Sequence, residues 1–259
     1  MLLVIDVGNT ETVFGIYQNE ELIAYWRLSS KNQRTADECW IILKMWCETQ
    51  SLSILDINGI VISSVVPLLA SIFKEMSVRY LKLEPLIVSS STNTGIEILY
   101  DTPRTVGADR ICNAVAGFSH FGGPLIVVDF GTATTFDVIS KNGKYLGGVI
   151  ALGLKGASEE LHRISAKLPR VDLEFPAFVV GKTTETSMQS GILWGTVALI
   201  DGMVEKIMNE MKWKNPKIIA TGGIAPVLIE KSERIEHVEP HLTLEGMRLI
   251  YKRYSKKSK

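Results

Sequence analysis

The sequence predicts an α/β chain made of two similar halves, each a mixed sheet flanked by helices. Two observations predict it. The stretch Leu2 to Tyr17 (LLVIDVGNTETVFGIY) returns as Leu125 to Ser140 (LIVVDFGTATTFDVIS). Leu2, Val4, Asp6, Gly8, Thr12 and Ile16 meet Leu125, Val127, Asp129, Gly131, Thr135 and Ile139 without a gap. Repetition of a strand–turn–strand unit half a chain apart marks a duplicated architecture. Each copy is also followed by a third strand and then by helices and strands in alternation, the order of a sheet with antiparallel and parallel members.

The elements follow from local pattern. Period-two alternation over Glu21 to Ser29 gives the third strand of the first half. Thr35 with Glu38 three residues on is a capping box, and Ile41, Ile42, Met45 and Trp46 at helical spacing continue the helix it opens. Trp40 and Trp46 are thereby placed in core or interface rather than in a ligand box. Gly59 to Val65 reads as a buried strand, Pro67 opens a helix to about Leu83, and Leu86 to Ser89 is a short strand. The polar segment Ser89 to Thr105 reads as a loop between the halves, 1–105 and 106–259, with the C-terminal helix free to pack back across. Beyond it come a helix to about Phe118, the second hairpin, a strand over Lys144 to Ala151 and a helix from about Gly153 to Ala166. A long helix over about Thr186 to Met211, a strand over Lys217 to Thr221 and a final helix from Thr243 complete the chain.

The two repeated turns suit phosphate. Gly8 and Gly131 lack a Cβ, so a ligand can approach the main chain closely. Successive backbone N–H groups there can form an anion cradle, with Asn9, Thr10, Thr12, Thr132, Thr134 and Thr135 offering side-chain hydrogen bonds. Asp6 and Asp129, at the ends of apolar strands, are poor core residues but good ligands for a cation that accompanies phosphates.

Composition narrows the partners. Hydrophobic residues make up 46% and charged residues 22%, an ordinary globular balance. Lys plus Arg equals Asp plus Glu at 28 each, so no general polyanion-binding surface is expected and no nucleic-acid role. The basic run Lys252 to Lys259 reads as a frayed, solvated tail. Cys39, Cys47 and Cys112 are odd in number and form no C-x-x-C, which disfavours disulfides and structural zinc; the four histidines make no ligand pair. Met1 leads straight into a strand, no apolar run reaches membrane-spanning length, and the expectation is a soluble cytoplasmic protein without a membrane partner.

Two phosphate hairpins opening two α/β halves, with a late Thr221-Gly222-Gly223 turn, resemble the acetate kinase, sugar kinase, Hsp70 and actin superfamily. That resemblance implies two ribonuclease H-like (actin-like ATPase) halves with nucleotide in a cleft between them. The match narrows at Asp6-Val7-Gly8-Asn9-Thr10 with Gly15, at Gly107-Ala108-Asp109-Arg110, and at Asp129-Phe130-Gly131-Thr132-Ala133-Thr134-Thr135. It continues through Gly147-Gly148, Lys167-Leu168-Pro169, Gly181-Lys182, Thr184 and His241-Leu242-Thr243-Leu244-Glu245-Gly246. Together these motifs resemble type III pantothenate kinase over essentially the whole chain.

The resemblance implies transfer of the ATP γ-phosphoryl group to the primary hydroxyl of pantothenate, the first step toward coenzyme A. It places the ATP phosphates on Asp6, Val7, Gly8, Asn9, Thr10, Glu11, Thr12 and Val13, with a further nucleotide contact at Thr132. Pantothenate falls on Tyr100, Gly107, Ala108, Asp109, Arg110 and Thr184. Asp109 matches the proton acceptor and Asp129 the ligand of an activating monovalent cation, potassium or ammonium. Mg2+ is expected on the phosphates, with Asp6 as an outer-sphere partner, and the family is similar in being a homodimer. Arg110 suits a carboxylate because its planar guanidinium can pair bidentately. Taken alone, Asp109 suits a helix cap as well as a catalytic role, Thr184 carries no signal beyond a cap, and Tyr100 suits packing better than substrate contact. Thr105 and Leu152 depart from the family pattern, where an acid and a proline are expected, and put the loop shape near the substrate in question. Another small-molecule kinase of the superfamily would share the fold signals. A non-catalytic regulatory paralogue would be expected to lose the acids at 109 or 129, which this sequence keeps.

Overall fold

The computed structural model describes residues 1–165 and 167–257 and contains two compact units. Unit one is Met1–Ser119 with Leu242–Lys259, and unit two is His120–His241. Ala166, read from sequence as a helix end, and residues 258–259 of the basic run lie outside the described residues.

In unit one, β1 (Leu2–Val7), β2 (Glu11–Gln18), β3 (Glu21–Ser29), β4 (Gly59–Ser64) and β5 (Leu86–Ile87) form a sheet in the order β3-β2-β1-β4-β5. The hairpin members are antiparallel, and β4 runs parallel to β1 because helix α1 (Ala36–Thr49) lies between β3 and β4 in the chain. The pleat sorts β1 by parity. Leu3, Ile5 and Val7 join Phe14, Ile60 and Ile62 in a core closed by Ala36, Cys39 and Leu43 of α1 and by Phe73 and Met76 of α2 (Pro67–Met76). Each such fully buried side chain contributes about 1.5–3 kcal/mol. Val4 and Asp6 therefore belong to the opposite face, where a Cβ on Gly15 would lie 2.9 Å from the Val4 side chain and 3.1 Å from Leu244 of α7 (Leu242–Lys257).

The capping box forms as read: Thr35 Oγ1 accepts from the Glu38 N–H, and the Glu38 carboxylate accepts from the Thr35 N–H at 2.7 Å. Helix α2 is shorter than read, because the backbone passes into a π turn over Ser77–Leu81 that ends at Lys82 with φ 57°. Within the loop, a short strand β6 (Glu97–Ile98) and a 3-10 turn (Pro103–Thr105) form, and the Thr105 hydroxyl donates to the Thr102 carbonyl at 2.7 Å.

Unit two repeats the plan. Its own strands, β7 (Leu125–Phe130), β8 (Ala133–Ile139), β9 (Lys144–Leu152), β10 (Lys217–Thr221) and β11 (His237–Val238), stand in the order β11-β10-β7-β8-β9. Strand for strand this matches β5-β4-β1-β2-β3. Ile126, Val128 and Phe130 pack under α4 (Leu154–Ile164), α5 (Thr184–Met211) and α6 (Ala225–Ile229) through Leu154, Ile192, Leu193, Val197 and Leu228. Helix α5 starts two residues earlier than read, because Thr183 and Thr186 form a reciprocal cap.

Two features of unit one differ from the sequence expectation. The sequence boundary at residue 105 falls inside the unit, whose helix α3 (Ala108–Phe121) holds α7 against it up to Ser119. The Thr243 hydroxyl donates to Asn113 at 2.8 Å, and a Cβ on Gly246 would lie 2.0 Å from the Cys112 carbonyl oxygen. The chain end is also no frayed tail as far as Lys257. Lys252 pairs with Glu20 at 2.6 Å and Arg253 donates to the Thr94 carbonyl, which keeps the last turns of α7 helical. The three thiols are free and buried. Among the described residues no helix is long and apolar enough to cross a membrane.

Candidate active site

The first turn closes tightly. The Gly8 N–H donates to the Glu11 carbonyl at 3.0 Å, and a Cβ on Gly8 would press on that same oxygen at 2.9 Å. Of the residues assigned to the ATP phosphates, Asn9 and Glu11 are exposed, and Asp6, Gly8, Thr10 and Val13 are half-buried. Val7 and Thr12 are buried, and the Thr12 hydroxyl shares a hydrogen bond with Ser30 at 2.8 Å. Only the main chain of those two can meet a ligand. Glu11 pairs across the strand with Arg27 at 3.8 Å, an exposed contact of little energetic weight.

Asp6 stands at the end of β1 beside Ser63 of β4, in register, and Ser63 Oγ donates to Asp6 Oδ1 at 2.9 Å. Ser63 is fully buried. A half-buried carboxylate already anchored by a hydroxyl, next to a glycine turn, fits a partner of a hydrated magnesium ion on the phosphates.

Helix α3 begins at Ala108, so Gly107 holds the N-cap position and Asp109 is the second helical residue. Asp109 is thus no N-cap. Its Oδ1 accepts the Arg110 N–H at 2.8 Å. Burial pushes the Asp109 carboxyl above the ordinary carboxylate range, opposed by the Arg110 N–H bond, the Arg110 charge and its own N–H. Arg110 is itself buried, 8% exposed, and Ala108 is buried beside it. Tyr100 lies in the preceding loop with 36% exposure. Asp6 and Asp109 both act on Cys112, a fully buried thiol of α3 that burial, and then these two charges, push well above its usual range. Unit one therefore brings the first phosphate turn and the acid Asp109 to one neighbourhood.

Unit two holds the other assigned residues. Asp129 is the penultimate residue of β7, flanked in register by Thr135 on β8 and Thr221 on β10. Thr221 stands to Asp129 as Ser63 stands to Asp6. The Thr135 Oγ1 is buried and has no hydrogen-bond partner among the described residues, as is Thr134 Oγ1. A buried hydroxyl opposite a carboxylate is a donor set of oxygens, suited to a monovalent or other hard cation. Thr132 is exposed at the tip of the second turn, and a Cβ on Gly153 would lie 2.3 Å from its carbonyl, so α4 starts directly against this backbone. Gly222, at φ +96°, presses on the end of β7, where a Cβ would lie 2.6 Å from the Phe130 carbonyl. Thr184 opens α5 and lines an open cavity of ≈ 700 Å³ with Gly181, Lys182, Thr183 and Ser187. Sequence reasoning passed over Ser63 and Cys112. A hydroxyl at the end of the apolar run Gly59 to Val65, matched by Thr221 at the end of its duplicate, was the available signal.

The family model of type III pantothenate kinase matches residues 2–206. The chain belongs to the type III pantothenate kinase family. A type III pantothenate kinase of Citrifermentans bemidjiense is 47% identical over 253 residues, covering 98% of this chain and 99% of its own. The one from Geobacter sp. strain M21 is also 47% identical over 253 residues, with the same coverage. Among solved structures, a Campylobacter jejuni protein under the provisional description of a Baf family transcriptional activator is similar, at TM-score 0.64 and 21% identity over 98% of this chain and 99% of that one. The ROK hexokinase of Thermus thermophilus is similar at TM-score 0.54 and 11% identity, covering 98% and 99%. At such identities these structures speak for the fold alone, which is the duplicated ribonuclease H-like architecture of this pantothenate kinase family member.

Proposed function

We propose that the chain transfers the γ-phosphoryl group of ATP to the primary hydroxyl of pantothenate, giving 4'-phosphopantothenate. Family membership supplies the substrate. The observation that carries the chemistry is Asp109, a desolvated carboxylate held by backbone N–H groups at the start of α3. Phosphoryl transfer asks the protein chiefly for positioning and charge compensation. Asp109 aligns the attacking hydroxyl and accepts its proton, a task favoured by a carboxyl whose proton affinity burial has raised. The Gly8 and Thr132 turns receive the nucleotide phosphates through the main chain. Arg110, Tyr100 and Thr184 bind pantothenate, with Arg110 supplying the charge for its carboxylate.

Mg2+, with Asp6 as its protein partner, supplies charge neutralisation at the β- and γ-phosphates when bound. Asp129 and the Thr135 hydroxyl are the groups that would hold a potassium or ammonium ion. The active form is a homodimer. Supporting that reading, unit two exposes an apolar set, Ile150, Leu152, Ile164 and the run Phe178-Val179-Val180, with Val180 79% exposed.

The test is mass-spectrometric detection of 4'-phosphopantothenate from MgATP and pantothenate, beside a panel of sugars and carboxylic acids. Phosphorylation of pantothenate and none of the panel is expected. Phosphorylation of a panel member in preference to pantothenate would overturn the assignment.

A further inference from the structure

We propose that Ser63 and Cys112 are positioning residues that fix the orientation of Asp6 beneath the first phosphate turn. The inference rests on the assignment of Asp6 to the nucleotide side of the reaction. Asp6 and Ser63 are in register on parallel strands, and the single proton of the Ser63 hydroxyl is committed to Asp6 Oδ1 at 2.9 Å. The Cys112 thiol lies against the same hydroxyl, and both side chains are fully buried. The hydroxyl is sealed from solvent on the side of the thiol, so no water takes its place on the half-buried carboxylate.

Three further observations bear on it. The thiol cannot drift, because Gly246 of α7 rests on the Cys112 backbone and Thr243 bonds the next residue, Asn113. The arrangement recurs in the duplicate half, where Thr221 places a hydroxyl beside Asp129 at the matching register position. Cys112 also lies one turn after Asp109 on α3, and residues three apart share a helix face. The strand that carries Asp6 and the helix that carries Asp109 therefore meet at Ser63. A carboxylate that swung freely under a triphosphate would add repulsion; anchored by one oxygen, it has one orientation to offer a hydrated magnesium ion.

The experiment measures the dissociation constant of MgADP by calorimetry without pantothenate, alongside kcat and both KM values, for Ser63→Ala, Ser63→Thr, Cys112→Ala and Cys112→Ser. Loss of a hydrogen bond to a charged group predicts that Ser63→Ala weakens MgADP about tenfold, and metal-free ADP by less. KM for pantothenate is expected to stay within about twofold of the parent value. Ser63→Thr keeps the donor and Cys112→Ser keeps a polar group against it, so both should hold MgADP affinity within about threefold of the parent, whereas Cys112→Ala should not. Unchanged MgADP affinity in Ser63→Ala, or equal losses for both substrates, would overturn the proposal. Should Ser63→Ala lack a folded circular dichroism spectrum, the Cys112→Ala and Cys112→Ser pair decides: equal MgADP affinity in the two overturns it. Because the binding arm contains no pantothenate, absent pantothenate turnover would count against the proposed function and not against this chain of contacts.

Discussion

Gly107 and Asp109 contend for one space: a Cβ on Gly107 would lie 2.3 Å from Asp109 Oδ1. The glycine at the start of α3 is thus a condition for where the acid sits. Gly107→Ala should move the carboxylate while leaving the helix formed. A displacement of that order predicts a fall in kcat of about 10–100-fold, measured by coupled ADP release. The far-ultraviolet circular dichroism spectrum should be unchanged; full activity in the variant would show that the contact does not place the acid.

Asp109 also carries a stability signature. Its folded-state carboxyl is raised above the ordinary value of 3.8, so the folded chain holds this proton to higher pH than the unfolded chain does. The ionised acid therefore destabilises the fold, with none of the cost below the unfolded value and all of it above the folded one. Asp109→Asn should melt at a higher temperature than the parent at pH 7, and the advantage should shrink as pH is lowered toward 3.8. Calorimetric melting across that range checks the sign.

Gly246 is where α7 touches α3. A methyl group there would meet the Cys112 carbonyl at 2.0 Å, and both partners are backbone, so neither yields cheaply. Gly246→Ala is expected to cost about 1–3 kcal/mol, as overpacked sites do. A chain of this size should then lose several degrees in Tm, about 2–4 °C per kcal/mol. A melting curve superimposable on the parent would contradict the contact.

Thr135 tests the cation assignment in two directions. Replacing a buried hydroxyl that lacks a protein partner by an isosteric methyl should stabilise the cation-free protein, by about 1 kcal/mol or more. If the hydroxyl helps Asp129 to hold potassium, Thr135→Val should raise the potassium concentration for half-maximal activity, by about tenfold for one lost ligand contact. Higher Tm with unchanged potassium dependence would remove Thr135 from the ion site.

The legible parts of this fold are those coded by near neighbours. Both hairpins show in the sequence because Asp6-Val7-Gly8 and Asp129-Phe130-Gly131 sit in period-two strands, and the Thr35–Glu38 cap because its partners are three residues apart. Asp109 and Arg110 were found by motif, but their burial was not, since it depends on packing beneath α3. Ser63 was missed because its partner is Asp6, distant in the chain, and only the parallel register of β1 with β4 joins them. The ordered end of α7 was missed for the same reason. Its lysine and arginine look like a solvated run until Glu20 and the Thr94 carbonyl are seen opposite them. The long helix begins before Thr186 because the Thr183 hydroxyl caps it, a bond that the geometry shows and the residue types alone do not.

The most direct test of the account is ADP release by the purified protein with MgATP and pantothenate, beside Asp109→Asn. We predict pantothenate-dependent turnover in the parent and a loss of about 10²–10⁴-fold in the variant, which keeps its fold and its MgADP affinity. Turnover in the variant equal to the parent, or no pantothenate-dependent turnover in a folded parent protein, would contradict it.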